Sequence, residues 1–530
     1  MHTEVDVVVV GCGPVGALTA NLLGVHGVST LVLERSVEPH GQPRAFSADD
    51  EALRIYQQAG LAEQILADMY PSPVAEYVNA KGELFAELAL SEVDFGLGYR
   101  PLYFFDQPTL EHTLRAGLDR FDHVTLRLGA EVAAMAPGPD AVMLTVRAAD
   151  GSTQTVRARY VLGCDGARST VRTFAGINLV GSSYEEPWLA VSGDIQPHGV
   201  RVDRTRFVCD WRRPAFVSPG THGSYRMEFM LMPGELVHQM ERPATIAALI
   251  EPYVDPERFL VRRAVVYGFH NLVADRWRVG RVFLLGDAAH QMPPFMGQGL
   301  CSGLRDAANL VWKLALVLSR RADEDLLDTY EQERRPHAEA MARTSVQLGK
   351  VFLARSRTGA WARDAALRAI QTVPRVRRFL RHFEFKPLPA HDAGLMATGR
   401  RRGVEGRMFP QPRVLAAGSP SPRPLDDVLG TGFALIGPGV DPQAADDPRW
   451  QGLPVTFLRV RPAATTLLGA ADVGDTEGVL TTWFATNKAE VALLRPDRFV
   501  FAAGAAADAG RFADLLTAQL RTGARADAPR

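Results

Sequence analysis

The chain has 530 residues, more than one hydrophobic core supports, and its 46% hydrophobic content suits two or three packed units. Its 59 basic and 60 acidic residues leave a formal charge of −1, which excludes the basic footprint of a nucleic-acid-binding protein. No signal-like segment precedes the strand-forming Glu4 to Val10, and the apolar stretch Leu310 to Leu318 is interrupted by Lys313 and too short to span a bilayer, so a cytoplasmic protein without membrane association is expected.

Taken in chain order, Val5 to Glu34 reads as a βαβ unit: the apolar run Val7 to Val10, a glycine turn from Gly11 to Gly16, a helical stretch to His26, then Leu31 to Leu33. Alternating segments at Val124 to Leu128, Ala141 to Arg147 and Thr155 to Leu162, with the turn Asp150-Gly151, predict a β-meander over about 120 to 163. A strand at Val282 to Leu285 runs into Gly286-Asp287, and a long helix follows from about Leu300 to Ser319. The intervals 76 to 104 and 181 to 275 read as strands and loops. Val351 to His382 is helical and arginine-rich, prolines and glycines between Pro387 and Gly406 mark a linker, and a last unit spans about Arg413 to Gly523.

Cys12, Cys164, Cys209 and Cys301 form no C-x-x-C pair and no zinc-like spacing. Buried, reduced thiols are expected, with no disulfide framework, no dithiol centre and no metal.

Gly11-Cys12-Gly13-Pro14-Val15-Gly16 is a G-x-G-x-x-G between strand and helix, where glycines allow close approach to a pyrophosphate resting on the helix N-terminus. Glu34, followed by Arg35, ends the second strand and is placed to accept hydrogen bonds from an adenosine ribose. That fingerprint alone does not separate FAD from NAD. Two more segments each follow a strand: Gly163-Cys164-Asp165-Gly166-Ala167-Arg168, and Gly286-Asp287-Ala288-Ala289-His290 with Pro293, Pro294, Gly297, Gln298 and Gly299.

Together these segments resemble the fingerprints of the single-component flavoprotein aromatic hydroxylases, the p-hydroxybenzoate hydroxylase class. The stretches Asp49-Asp50-Glu51-Ala52-Leu53-Arg54 and Met292 to Asp306 are most similar to its 3-(3-hydroxyphenyl)propionate hydroxylases. The tail, including Leu494 to Val500, is similar to the thioredoxin-like tails of phenol hydroxylases and polyketide-tailoring hydroxylases.

The resemblance implies an α/β fold with a discontinuous, Rossmann-like FAD-binding domain of glutathione reductase type at 1–75, 105–180 and 276–345. A β-sheet substrate domain at 76–104 and 181–275 is interleaved with it, followed by a helical segment and linker at 346–403 and a thioredoxin-like domain without C-x-x-C at 404–530. It further implies non-covalent FAD, NAD(P)H as a transient co-substrate, O₂, and hydroxylation of a phenolic ring through a flavin C4a-hydroperoxide, with a homodimer left open.

By the same resemblance, Arg44 in Pro43-Arg44-Ala45 meets the FAD pyrophosphate and Gln107 the ribityl-phosphate side. Val132 meets adenine through its backbone, Asp165 and Gly166 lie near FAD and the NAD(P)H groove, and Asp287 binds a ribityl hydroxyl. The amides of Gly297, Gln298, Gly299 and Leu300 face flavin N1 and O2, and the Pro294 carbonyl lies near the substrate.

The residue handling the phenol proton is not legible, and His222, Tyr225, Tyr267 and His270 are candidates. Arg212, Arg213 and Arg226 are candidates for a substrate carboxylate. Two alternatives stay open: a hydroxylase or Baeyer-Villiger enzyme acting on a polycyclic polyketide, and a non-catalytic FAD-binding homologue.

Overall fold

A run of valines builds the centre of the first sheet. Val7, Val8 and Val9 of the strand Thr3–Val10 are all fully buried, as β-branched residues are in a parallel strand covered on both faces. The computed structural model describes residues 3–38, 45–183, 187–354, 356–399, 401, 403–462 and 469–521. Thr3–Val10 pairs in parallel with Thr30–Glu34 on one side and Thr153–Gly163 on the other; Thr153–Gly163 pairs in parallel with Val282–Leu284.

The meander differs from its prediction. Val124–Leu128 is not part of it, because that strand pairs in parallel with Thr30–Glu34 at the edge of the nucleotide sheet. Its antiparallel strands are Ala130–Pro137, Val142–Ala148 and Thr153–Gly163. The first of these is rich in alanine and carries little β-propensity, which hid it in the sequence.

A second sheet of seven strands has the order Phe259–Tyr267, Trp188–Ile195, Ser224–Met230, Ala215–Pro219, Thr205–Val208, Ala75–Val78 and Leu84–Leu88. Alternate residues Leu189, Val191, Met227 and Phe229 bury one face against Ile246 and Ile250 of the helix Pro243–Ile250. That helix and Val237–Met240 lie in an interval read as strands and loops; Pro243, at a first-turn position, marks the start that was missed.

The arginine-rich stretch from Val351 to His382 holds two helices, Arg357–Ile370 and Pro374–Arg381, the second beginning at its proline, and the helix Thr329–Phe352 ends where that stretch starts. The C-terminal unit has a seven-stranded sheet in which Phe433–Gly437, Val455–Pro462 and Asp472–Asp475 are adjacent and parallel. Val491–Leu494 and Val500–Gly504 extend it antiparallel, with Val479–Asn487 and Ala509–Arg521 as helices, a thioredoxin-like arrangement. Among the described residues no helix is long and apolar enough to cross a membrane.

Candidate active site

The parallel register puts three turns side by side. Val10 is in register with Leu33 and Gly163, and Gly163 with Leu284, so the Gly11 turn, Glu34, the Asp165 turn and the Asp287 turn emerge together at the C-terminal ends of adjacent strands. Chain order reverses across Thr3–Val10, the position at which open α/β sheets bind ligands.

Gly11 has φ +96, and a Cβ there would lie 2.6 Å from the Cys164 carbonyl oxygen. A Cβ on Gly16 would lie 2.0 Å from the Gly11 carbonyl oxygen, so both glycines are demanded by protein packing alone. Gly13 differs, since a Cβ there meets no atom within 4 Å. It is the N-cap of the helix Pro14–Val25 and provides no side-chain cap.

Arg115 donates from Nε and Nη2 to the Cys12 carbonyl at 3.1 and 3.0 Å and fixes this turn from a neighbouring helix. Glu34 accepts from the amides of Cys12 at 2.8 Å and Ser36 at 2.9 Å, which among the described residues uses two of the roughly four sites a carboxylate offers. Arg35 beside it is exposed, and Val132 is buried on the strand Ala130–Pro137.

Asp165 Oδ2 accepts from Thr170 N at 2.7 Å, Thr170 Oγ1 at 3.0 Å and Val171 N at 3.1 Å, while its buried Oδ1 has no partner among the described residues. Half-buried Asp287 lies in a single turn, Gly286–Ala288. Asp306 locks that turn: its Oδ2 accepts from Gly286 N at 3.0 Å and His290 Nε2 at 2.7 Å, and its Oδ1 from Arg334 Nε at 3.0 Å. Burial alone would raise the Asp306 carboxyl; these donors overcome it and hold the group below the usual carboxylate range.

The long helix Gly299–Leu318 has Gln298 as N-cap, again with no side-chain cap, so its first-turn amides are free to meet a ligand. Gly297 closes the preceding Pro294–Met296 turn in the left-handed region at φ +65. A Cβ on Gly299 finds only Met292 Cγ, 3.9 Å away. Ser47 Oγ donates to Gly297 O at 3.4 Å, and Gln107 Oε1 accepts from Ala45 N at 2.8 Å, which brings the Ala45 segment to the same cleft. Arg44 and Pro43 lie outside the described residues. Two uncapped helix N-termini, open space at Gly13 and Gly299, and an orphaned acidic oxygen at Asp165 fit a group that is anionic in its middle and hydroxylated along its length, as FAD is.

The other wall of the cleft is the second face of the seven-stranded sheet. Trp188, Met230 and Phe269 form a buried cluster packed with Phe295 of the Pro294–Met296 turn, Tyr267 and Leu353. Phe295 lies 6.3 Å from Trp188 and 6.0 Å from Phe269, both edge-on. Three polar side chains interrupt this apolar surface. Arg226 donates to Glu228 at 2.7 Å, and Tyr267 is hydrogen-bonded to both. Burial, reinforced by the Glu228 charge, pushes the Tyr267 hydroxyl well above the ordinary phenol range and keeps it protonated.

The family model described as FAD binding domain matches residues 4–345, and one described as HcaD C-terminal domain matches 406–519. The 3-(3-hydroxy-phenyl)propionate/3-hydroxycinnamic acid hydroxylase of Burkholderia cenocepacia (strain HI2424) is 40% identical over 517 residues, 94% of each chain. The chain belongs to the FAD-dependent aromatic hydroxylases. Among solved structures, the flavin-dependent monooxygenase PieE in complex with FAD and substrate superposes with a TM-score of 0.81 at 22% identity, covering 98% of this chain and 99% of that one. OxyS anhydrotetracycline hydroxylase from Streptomyces rimosus gives 0.77 at 25% identity, covering 98% and 100%.

Several candidates for the hydroxylase's substrate chemistry fall away from the cleft. Tyr225 belongs to the opposite face of the sheet, with Met227 and Phe229 in the core beneath the helix Pro243–Ile250. His222 is exposed and contacts Asp68 at 3.1 Å; His270 is exposed and contacts Ser183 at 2.9 Å. Arg212 is held by Asp210 of its own loop, and Arg213 by Glu235 and the Met230 carbonyl. Arg226 does face the cleft, but its charge is already matched by Glu228. Gln107 is not a helix cap, since Asp106 caps that helix by accepting from Thr109 N. The four cysteines are free, and burial pushes the Cys12 thiol up to about 12.

Sequence reading missed Arg115, Asp306, Arg305 and Glu228. The signal available for two of them was an adjacent Arg-Asp pair inside an otherwise apolar helix, a pairing that burial makes costly unless each charge is matched.

Proposed function

We propose that this hydroxylase acts on a phenol with a short acidic side chain, of the 3-(3-hydroxyphenyl)propionate or 3-hydroxycinnamate kind, with NAD(P)H and O₂ as co-substrates. The observation that carries this reading is 40% identity, over 94% of both chains, to a relative named for those substrates. FAD, when bound, supplies the redox chemistry that couples NAD(P)H oxidation to oxygen insertion.

The chain's own residues take the remaining roles. The Gly13 amide end and Arg44 receive the pyrophosphate, Glu34 the ribose, and Asp287 a ribityl hydroxyl. The amides after Gln298 hold the pyrimidine edge of the flavin through their partial positive charge. Trp188, Phe269 and Phe295 line the ring site and exclude water from it. Tyr267 Oη receives the phenol's hydrogen bond and passes the proton to the Glu228 carboxylate, which Arg226 keeps in place. Loss of that proton makes the ring more nucleophilic at the carbon that accepts oxygen.

The test is steady-state oxidation of NAD(P)H with product analysis, over a panel of phenylpropionates, hydroxycinnamates, simple phenols and polycyclic phenols. Hydroxylated product from the phenylpropionates at the highest kcat/KM supports the reading, and product from the polycyclic phenols alone overturns it. Tyr267→Phe is expected to lower kcat about 100-fold, within the usual span for positioned proton transfer, with FAD content unchanged.

A further inference from the structure

The cleft wall that holds Tyr267 continues along the sheet, and strand alternation decides which residues it carries. In the strand Phe259–Tyr267, Ala264 and Val266 pack into the core beneath the helix Pro243–Ile250, so Arg263, Val265 and Tyr267 share the opposite face, toward the cleft. Register supplies their neighbours. Trp188 lies opposite Tyr267, Ala190 opposite Val265 and Ser192 opposite Arg263. On the other side of the strand Trp188–Ile195, Ala190 is opposite Glu228 and Ser192 opposite Arg226. Arg263 and Arg226 thus flank Ser192 on one face, at the end of the row away from the Trp188 cluster.

Phe46 covers this end of the cleft from the nucleotide-binding unit, its ring 5.6 Å from the Arg226 guanidinium. Arg263 and Ser192 are half-buried, so the row opens toward solvent at Arg263 instead of ending in the core. Two carboxylates lie along the row, and each is held by another arginine: Glu228 by Arg226, and Asp194 by Arg262. With Arg263, the row and its rim carry three arginines against two carboxylates among the described residues, an excess of one positive charge.

Arg263 is four residues from Tyr267, which at a strand rise of about 3.4 Å separates the two by about 14 Å along the wall. Side chains on one face stand roughly perpendicular to the sheet, so the hydroxyl and the guanidinium keep a similar separation. An extended 3-(3-hydroxyphenyl)propionate has about 8 Å between its phenolic and carboxylate oxygens, and a hydrogen bond of about 2.9 Å at each end brings the span to about 14 Å. Between the two ends lie Ala190 and Val265, uncharged and small enough for a ring and its short chain to pass over. We infer that Arg263 is the specificity-determining residue of the cleft, receiving the substrate's side-chain carboxylate while the phenol meets Tyr267. The planar guanidinium matches a carboxylate, and the assignment rests on the substrate being a phenol with a short acidic side chain.

The test compares 3-(3-hydroxyphenyl)propionate with neutral 3-propylphenol on the full-length, FAD-loaded enzyme, by NAD(P)H oxidation with product analysis. Wild type should prefer the acid. Arg263→Met, which keeps an apolar stem and removes the charge, should lower the acid-to-neutral ratio of kcat/KM by about 10- to 100-fold, the range for a hydrogen bond to a charged group, with the loss in KM. Arg263→Lys should restore part of the ratio, because it returns the charge without the fork. Arg263→Gln, which keeps a donor but no charge, gives the same reading if the methionine variant loses its FAD. A ratio within about threefold of wild type in the uncharged variant, at normal FAD content, is too small for a charged contact and would overturn this proposal alone. A wild-type enzyme with no preference for the acid would overturn the substrate reading along with it.

Discussion

Arg54, on the helix Asp50–Gln58 of the nucleotide-binding unit, grips Asp426 of the C-terminal unit with two parallel hydrogen bonds, Nε to Oδ2 at 2.7 Å and Nη2 to Oδ1 at 2.8 Å. Both side chains are at most 2% exposed, and Arg54 Nη1 also donates to Phe409 O at 2.6 Å. A buried pair of this kind adds little net stability over a hydrophobic replacement of both partners, but removing one partner leaves a desolvated charge. Arg54→Met should therefore cost about 3–5 kcal/mol, read from urea unfolding, and Arg54→Met with Asp426→Leu should not recover it, because Asp426 also faces buried Arg498, 3.5 Å away, which the double variant leaves unmatched. A loss below about 1 kcal/mol in Arg54→Met would mean that Arg498 holds the Asp426 carboxylate without Arg54.

At the turn from Gly297 to Gly299, which the proposed function gives to the flavin, two glycines predict different outcomes. Gly297 has φ +65 and would place a Cβ 2.2 Å from Ser47 Oγ, so Gly297→Val should lower Tm even in flavin-free protein. Gly299 has room, with Met292 Cγ at 3.9 Å as its nearest contact, so Gly299→Val should fold with near-normal Tm yet lose most of its FAD. Flavin absorbance per chain after purification, set beside a melting curve, separates the two. Full FAD occupancy in Gly299→Val would remove this turn from the cofactor site.

How legible all this was in the sequence depends on whether an element's reason is local. The Gly11 turn, the strand into Gly286-Asp287 and the helix from about Leu300 announce themselves by spacing and periodicity, and the structure places them within a residue or two. Register is not local, and so Val124–Leu128 was assigned to the wrong neighbours: its alternation is equally compatible with a meander edge or a parallel edge. For the substrate side, sequence could nominate Tyr225 and Tyr267 but not choose, because two positions of similar chemistry differ only in which face of the sheet they occupy. Asp49-Asp50-Glu51 read as a likeness to one branch, whereas its physical role needs Arg305 and Lys386 from distant segments.

That acidic cluster makes Arg305 the connection between the Gln298 turn and the segment that carries Lys386. Arg305 Nη1 donates to Gln298 Oε1 at 3.1 Å while its other nitrogens hold Asp49 and Glu51, and Lys386 lies 2.9 Å from both Asp49 and Asp50. Arg305→Lys keeps a positive charge but cannot make three forked contacts at once. The expected outcome is weaker FAD binding, by about tenfold if one 1.4 kcal/mol contact at the Gln298 turn is lost, together with a lower Tm. Titration of the apoprotein with FAD measures it. Unchanged affinity would show that the turn holds its shape without Gln298's side-chain anchor.

Acid stability depends on the buried imidazole of His391. This side chain is 2% exposed, packed 4.0 Å from the Phe499 ring, with Nδ1 3.3 Å from Glu333 O and Nε2 without a partner among the described residues. Burial, helped by the nearby Arg495 and Arg334 charges and opposed by Glu333, lowers its pKa from 6.5 to about 3. Between those values the unfolded chain binds a proton that the native one does not, so stability rises with pH there and is lost as pH falls from 6.5 toward 3. One such proton contributes a slope that approaches about 1.4 kcal/mol per pH unit below pH 6.5, or about 2 kcal/mol between pH 7.5 and 5, above the range where carboxylates of the unfolded chain titrate. Buried His337, whose pKa is also lowered by burial and by Arg334, adds to the same slope. Urea unfolding free energies for wild type and His391→Gln at pH 7.5, 6.5 and 5 test this. The variant should start lower at pH 7.5 because it loses the ring contact, yet its loss on acidification should be smaller by about 2 kcal/mol. Parallel pH profiles would mean that His391 takes up its proton in the native state, which would require the Glu333 charge to outweigh burial.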